Sequence, residues 1–122
     1  MDLDKVNIIP AEKNNEIHRR AAWEIKNDNL GYNMVNNDPI PYENHCKWWN
    51  RIFNEEYVYL ILYDTEISGY IRLTKVRTRS KEKNEISIAL FKKFHNVGIG
   101  SRGLELFEER MREEGIPEII AM

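Results

Sequence analysis

Residues 84–91 alternate strictly, with Ile86, Ile88 and Leu90 on one side and Glu85, Ser87, Ala89 and Phe91 on the other. This two-residue period predicts a strand. Two apolar runs precede it. Residues 56–63 (EYVYLILY) and 66–74 (EISGYIRLT) flank Asp64-Thr65 and predict an antiparallel hairpin. Residues 3–9 alternate up to Pro10, a first strand. Helical spacing appears in three places. In residues 11–26 it places Ile17, Ala21, Ala22 and Ile25 inward, and in residues 42–53 it brings His45, Trp48, Trp49 and Ile52 onto neighbouring turns. From about Gly98 to Glu114, Leu104, Phe107 and Met111 form a stripe, Gly115 suits the helix C-terminus, and residues 117–121 (PEIIA) begin another strand. Residues 27–41 read as a polar loop and the basic residues 75–83 (KVRTRSKEK) as a longer turn. The order β-α-α-β-β-β-α-β predicts a mixed α/β (α+β) fold, its mostly antiparallel sheet flanked by helices.

Composition narrows the possible roles. A chain of 122 residues, 42% hydrophobic and 31% charged, fits one domain without internal repeat or linker. Its net charge of -2 supplies no electropositive field for nucleic acid, so no nucleic-acid partner is expected. The longest apolar run, residues 58–63, is too short to cross a bilayer, and MDLDKVNII lacks the basic start of a signal peptide. A cytoplasmic protein with no membrane partner is therefore expected. Cys46 is the single cysteine, which rules out an intrachain disulfide and leaves no basis for a cysteine metal site.

The densest chemical signal is GIGSRG at residues 98–103. Its letters match the dinucleotide fingerprint G-x-G-x-x-G, but the setting does not. Residues 91–97 separate the strand core from Gly98, the upstream strands form a meander, and Glu118 precedes the next apolar core. The stretch fits better as a strand-to-helix loop whose backbone N–H groups, from about His95 to Ser101, converge on a pyrophosphate at a helix N-terminus. Each hydrogen bond to a charged oxygen contributes about 1.5–3 kcal/mol, so a few suffice without a lysine. No Gly-Lys-Ser/Thr follows, as an NTPase loop would require. The remaining alternative is a glycine-eased helix start that binds nothing.

With His-Asn-Val-Gly-Ile-Gly-Ser opening a long helix after that strand order, the chain resembles the GCN5-related N-acetyltransferases over nearly its whole length. Their signature is Gln/Arg-x-x-Gly-x-Gly/Ala. The resemblance places His95 at the Gln/Arg position, Gly98 and Gly100 at the two small positions and Ser101 just after them. It implies acetyl-CoA as cosubstrate, with its pyrophosphate on the N–H groups of Asn96, Val97, Gly98, Ile99, Gly100 and Ser101. Ala89 and Leu90 would pair with the pantetheine arm like an extra strand. His95 departs from the usual residue, which affects its side-chain contribution and not the backbone cradle. The stretches 23–28 (WEIKND), 32–34 (YNM) and 39–49 (PIPYENHCKWW) are similar to a branch that acetylates amino groups on nucleotide-linked sugars, with relatives that acetylate protein N-termini or antibiotics. The resemblance also implies further strands and a helix after residue 122, including a tyrosine that protonates the leaving thiolate. The sequence would then be a truncated one, or an edge at residues 119–122 would be completed by a partner, such as a second copy of the chain, or the domain would bind acyl-CoA without efficient catalysis.

Amine acidity bears on the acceptor. A lysine amine is deprotonated about once in 2500 at pH 7, whereas a sugar or α-amine near 8 loses its proton for about 1.4 kcal/mol. A weak base then suffices. Glu85 is the candidate general base; equally, it could serve a cross-strand pair with Arg72. His45 is a candidate for a substrate hydroxyl or phosphate, or a packed residue. Trp49 and Trp48 form either a sugar-stacking surface or core. Arg72 and Arg77, within a basic segment, are candidates for an anionic nucleotide, against the alternative of a solvated charge run.

Overall fold

The alternating segments form a single sheet in a computed structural model that describes residues 2–29, 39–77, 82–114 and 120–121, without the side chains of 54–56, 75–77, 82–84 and 120–121. The strands are β1 (Val6–Pro10), β2 (Glu56–Tyr63), β3 (Glu66–Arg77), β4 (Glu82–Leu90) and β5 (Ile120–Ala121). The helices are α1 (Glu16–Asp28), α2 (Tyr42–Glu55) and α3 (Ile99–Glu113). Strands β1 to β4 are antiparallel neighbours in sequence order, and β5 lies parallel to β4. The mixed, mostly antiparallel sheet flanked by helices is the expected architecture.

Both faces of the sheet are covered, which explains why β2 reads as a continuous apolar run and not as an alternation. Tyr59 and Ile61 join Phe107, Met111 and Ile99 of α3. Val58 and Leu60 join Ile25 of α1 and Trp49 and Ile52 of α2. The same division splits β4 as its pattern predicts: Ile86, Ile88 and Leu90 pack in the α3 layer, and Ala89 faces the α1–α2 layer.

Several boundaries differ from expectation. Leu3–Lys5 form a 3-10 turn capped by Asp2, so β1 starts only at Val6. Helix α1 starts at Glu16, because the Asn15 side chain accepts from the His18 N–H and caps it there. Ile17, expected inside, is 72% exposed. The basic turn is shorter, since Lys75, Val76 and Arg77 pair with Asn84, Lys83 and Glu82. Residues 78–81, 115–119 and 122 lie outside the described residues. So do residues 117–119 of the strand expected at 117–121 and both ends of the edge expected at 119–122.

Gly103 marks where α3 meets the sheet. A Cβ there would lie 3.0 Å from Ile61 Cδ1 and 3.2 Å from its Cγ1, and Ile61 is fully buried. Gly103→Val should therefore overpack the core and destabilise by about 1–3 kcal/mol. Urea denaturation would check this through a lower midpoint with an unchanged slope.

Candidate functional site

Strand β5 pairs with β4 at only two positions, Glu85↔Ile120 and Ile86↔Ala121. Beyond Ile86 the described edge of β4 is open. Its hydrogen-bond phase follows from the Phe91 N–H, which donates to Ser68 O at 2.9 Å. In an antiparallel ladder bonded positions alternate, so Ala89, opposite Tyr70, turns its backbone to β3. Ile88 and Leu90 turn theirs to the open edge. Of the two residues expected to receive an extra strand, Leu90 presents its backbone and Ala89 only its side chain; Ile88 is the second edge residue.

A cavity of about 410 Å³ surrounds this edge. Ile88, Ala89 and Leu90 wall it, Gly100 and Leu104 close it from α3, and Trp48, Tyr70 and Arg72 close it from the other layer. A larger depression, about 620 Å³, lies between α1, the β2–β3 turn and Phe91. It holds neither the strand edge nor the glycine loop, and a Lys93–Glu66 ion pair of 2.7 Å stands among its lining residues.

The chain reaches α3 through a 3-10 turn, Lys92–Phe94, with Phe94 buried. Asn96 and Gly98 then take left-handed conformations, φ 61° and 89°. Such alternation turns successive N–H groups toward one concavity. Gly98 caps α3 without a side-chain hydrogen bond, and the first bond onto the cap runs from Arg102 N–H to Gly98 O at 3.0 Å. The N–H groups of residues 96–101 have no acceptor among the described residues. A Cβ on Gly100 would stand 3.1 Å from Leu90 Cδ1 and 3.7 Å from Ile88 Cδ1. Glycine there keeps open the gap between the helix start and the β4 edge. Ile99 is fully buried and anchors the loop, whereas Asn96, Val97 and Ser101 are exposed.

Glu85 is partly buried, lies opposite Thr74 of β3 and pairs on its other side with Ile120 of β5. It shares a face with Ser87 and Ala89 and sits about 13 Å up the strand from Ala89. Arg72 is in register with Ser87, so it is a diagonal neighbour of Glu85. The Arg72 guanidinium carbon is 5.2 Å from the centre of the Trp48 ring, and Lys26 Nζ is 2.8 Å from it. The Arg77 side chain lies outside the described residues.

His45 and Trp49, expected as substrate contacts, are in the core. Trp49 is fully buried and its Nε1–H donates to Lys13 O at 2.9 Å. His45 is 1% exposed, its Nε2 bonds Arg19 O at 2.8 Å and its buried Nδ1 has no hydrogen-bond partner among the described residues. Helix α2 turns both rings inward, His45 against α1 and Trp49 into the layer between α1 and the sheet. Burial lowers the His45 pKa to about 4, with the charges of Lys26 and Arg19 adding to the effect against the backbone bond to Arg19. An unfolded histidine takes up its proton near 6.5, so stability is full above that pH and falls as pH drops toward 4, by about 3 kcal/mol. Urea midpoints at pH 7 and pH 4.5 should show this loss in the wild type and much less of it in His45→Gln. A parallel fall in both proteins would assign it to carboxylates instead.

Sequence reasoning missed Lys26, Asn29 and Tyr70, all lining the cavity. Lys26 lies within the 23–28 stretch with no role of its own assigned, Tyr70 carries no motif, and Asn29 reads as part of a polar loop. Among the described residues no group of three or more His, Cys, Asp or Glu could hold a metal, and no helix is long and apolar enough to cross a membrane.

The acetyltransferase (GNAT) family profile matches residues 18–122. No curated protein matches the sequence. Among solved structures, the ribosomal-protein-alanine N-acetyltransferase of Brucella melitensis is 22% identical with a TM-score of 0.74, over 94% of this chain and 72% of that one. The yncA protein of Salmonella typhimurium, solved with its cofactor acetyl-CoA, is 18% identical with a TM-score of 0.70, over 95% and 68%. An aminoglycoside acetyltransferase from an uncultured soil metagenomic sample, in complex with sisomicin, is 19% identical with a TM-score of 0.65, over 98% and 78%. At these identities the likeness is one of fold.

Proposed function

We propose, from the premise that this chain belongs to the acetyltransferase (GNAT) family, how its site divides the work of acetyl transfer and which acceptor it serves. Membership makes it an N-acetyltransferase with acetyl-CoA as cosubstrate. The acceptor is the primary amine of a small molecule, specifically a nucleotide-linked amino sugar. One observation carries the donor half of this reading: the edge at Ile88 and Leu90, open among the described residues, meets the start of α3, which no side chain caps, at Gly98 and Gly100. A peptide-like arm can add to that edge as a strand, while a pyrophosphate sits against the N–H groups of residues 96–101 and the helix dipole.

The acceptor enters from the α1–α2 side, where Arg72 reaches the cavity beside Trp48. Arg72, with Arg77 further along β3, attracts the phosphates of a nucleotide. Glu85 takes a proton from the acceptor ammonium, directly or through a water. The freed amine nitrogen attacks the thioester carbonyl carbon, a C–N bond forms, and the C–S bond breaks. The nitrogen's second proton passes to solvent, and the leaving thiolate, already a good leaving group, takes one back. The basic side chains on this side favour an anionic acceptor over a polycationic aminoglycoside.

Calorimetric titration with acetyl-CoA, followed by a thiol-release assay, tests this reading. The amines compared are a nucleotide-linked amino sugar, an N-terminal alanine peptide and an aminoglycoside. The sugar nucleotide should turn over fastest. Preference for either of the others would replace the acceptor assignment, and binding without thiol release on any of them would leave an acyl-CoA-binding module.

A further inference from the structure

The two outward-facing residues of the β4 edge are not equivalent. Leu90 O already receives two side-chain bonds, from Asn29 Nδ2 at 2.7 Å and from His95 Nε2 at 3.0 Å. Asn29 follows the last residue of α1, is only 9% exposed and lines the cavity. Its Nδ2 also bonds Ile25 O at 2.8 Å, which commits both amide hydrogens and fixes the side chain's orientation. One residue earlier, Asp28 Oδ2 accepts from the Lys92 N–H at 2.6 Å. The end of α1 is thus bonded to the end of β4 and to the start of the loop that follows it.

A strand edge with all its groups open specifies register weakly, because an added strand can slip along it. A carbonyl has two lone pairs, and on Leu90 both are engaged. We propose that Asn29 is a positioning residue for acetyl-CoA, which together with His95 closes the Leu90 carbonyl and so ends the extra-strand site there. The pantetheine arm then pairs with Ile88 and the Leu90 N–H, finds no further acceptor, and turns off the edge toward the start of α3. Asn29 also supplies the donor that Leu90 O needs once the arm shields it from water. This inference rests on the donor site proposed above and concerns the arm alone, not the pyrophosphate.

Two ligands separate arm from pyrophosphate: coenzyme A, which has both, and ADP, which has no arm. Asn29→Asp replaces a donor by an acceptor of nearly the same shape facing Leu90 O. It should weaken coenzyme A binding roughly tenfold in calorimetry and leave ADP affinity within about twofold. His95→Phe, which leaves α1 intact, should show the same split, and His95→Gln, which keeps a donor, should restore the wild-type ratio. Unchanged coenzyme A affinity in Asn29→Asp and His95→Phe, or an equal loss of both ligands, would overturn the assignment. Wild-type protein that binds neither ligand would overturn the donor site itself.

Discussion

Gly100→Leu should weaken acetyl-CoA binding more than 100-fold, about 2.8 kcal/mol or more, while shifting the thermal midpoint by no more than a few degrees. The asymmetry follows from where a side chain at this position would go. Its Cβ would meet the flexible ends of Leu90 and Ile88 at 3.1 and 3.7 Å, contacts that small rotations relieve. The rest of the leucine would then extend into the gap between α3 and the β4 edge, where the arm and the pyrophosphate have to meet. The charge-assisted bonds proposed from residues 96–101, each about 1.5–3 kcal/mol, depend on that close approach. Gly98→Val should lose binding differently. At φ 89°, with Leu3 Cδ1 3.3 Å from the new Cβ, a β-branched residue pulls the backbone out of the left-handed region and turns the N–H groups away. That variant should also lose stability. Calorimetry with acetyl-CoA and a melting curve on each protein give both quantities, and affinity retained within about threefold in Gly100→Leu would place the ligand elsewhere.

What could be read from the sequence follows from how local each determinant is. The faces of β4 were legible because strand alternation fixes sidedness residue by residue. The loop at Gly98 and Gly100 was legible because left-handed backbone and close approach select glycine at the position itself. Trp48 and Trp49 show the opposite case. They are adjacent on one helix, and only the docking of α2 against α1 decides that Trp49 is buried while Trp48 faces the cavity. The spacing of aromatics gives a stripe but not which side of it meets a partner. Ile17 differs for a related reason: it shares a stripe with buried Ala21 and Ile25, but it lies in the first turn of α1, where it lines an open depression and meets no partner layer. Asn29 is a stronger example. Its meaning lies in a bond to Leu90, which is distant in sequence, and an asparagine in a polar run gives no local sign of such a contact. The pairing first considered for Glu85 and Arg72 likewise turned on register, which places Ser87 and not Glu85 directly opposite the arginine.

Glu85→Gln should lower kcat by about 100-fold or more, within the range for losing a positioned general base, with little change in acetyl-CoA affinity. Glu85 pairs with Ile120 of β5 and lies on the face of β4 that carries Ala89 into the cavity. An arm laid along the open edge from the start of α3 carries its thioester back up β4 toward this carboxylate. The glutamine has the same shape and can still hold a water, but it cannot keep a proton taken from an ammonium ion. The acceptor must then arrive already deprotonated. For an amine with pKa near 8, turnover by the variant should therefore climb about tenfold per pH unit below 8 and level off above it. Wild-type turnover should fall less steeply over the same range, so the ratio of the two rates is largest at low pH and shrinks as pH rises. A cross-strand structural role predicts something else: a lower melting temperature and a loss of kcat that is the same at every pH. Rates measured from pH 6 to 9 at saturating acetyl-CoA distinguish these outcomes, and a pH-independent ratio would remove Glu85 as the base.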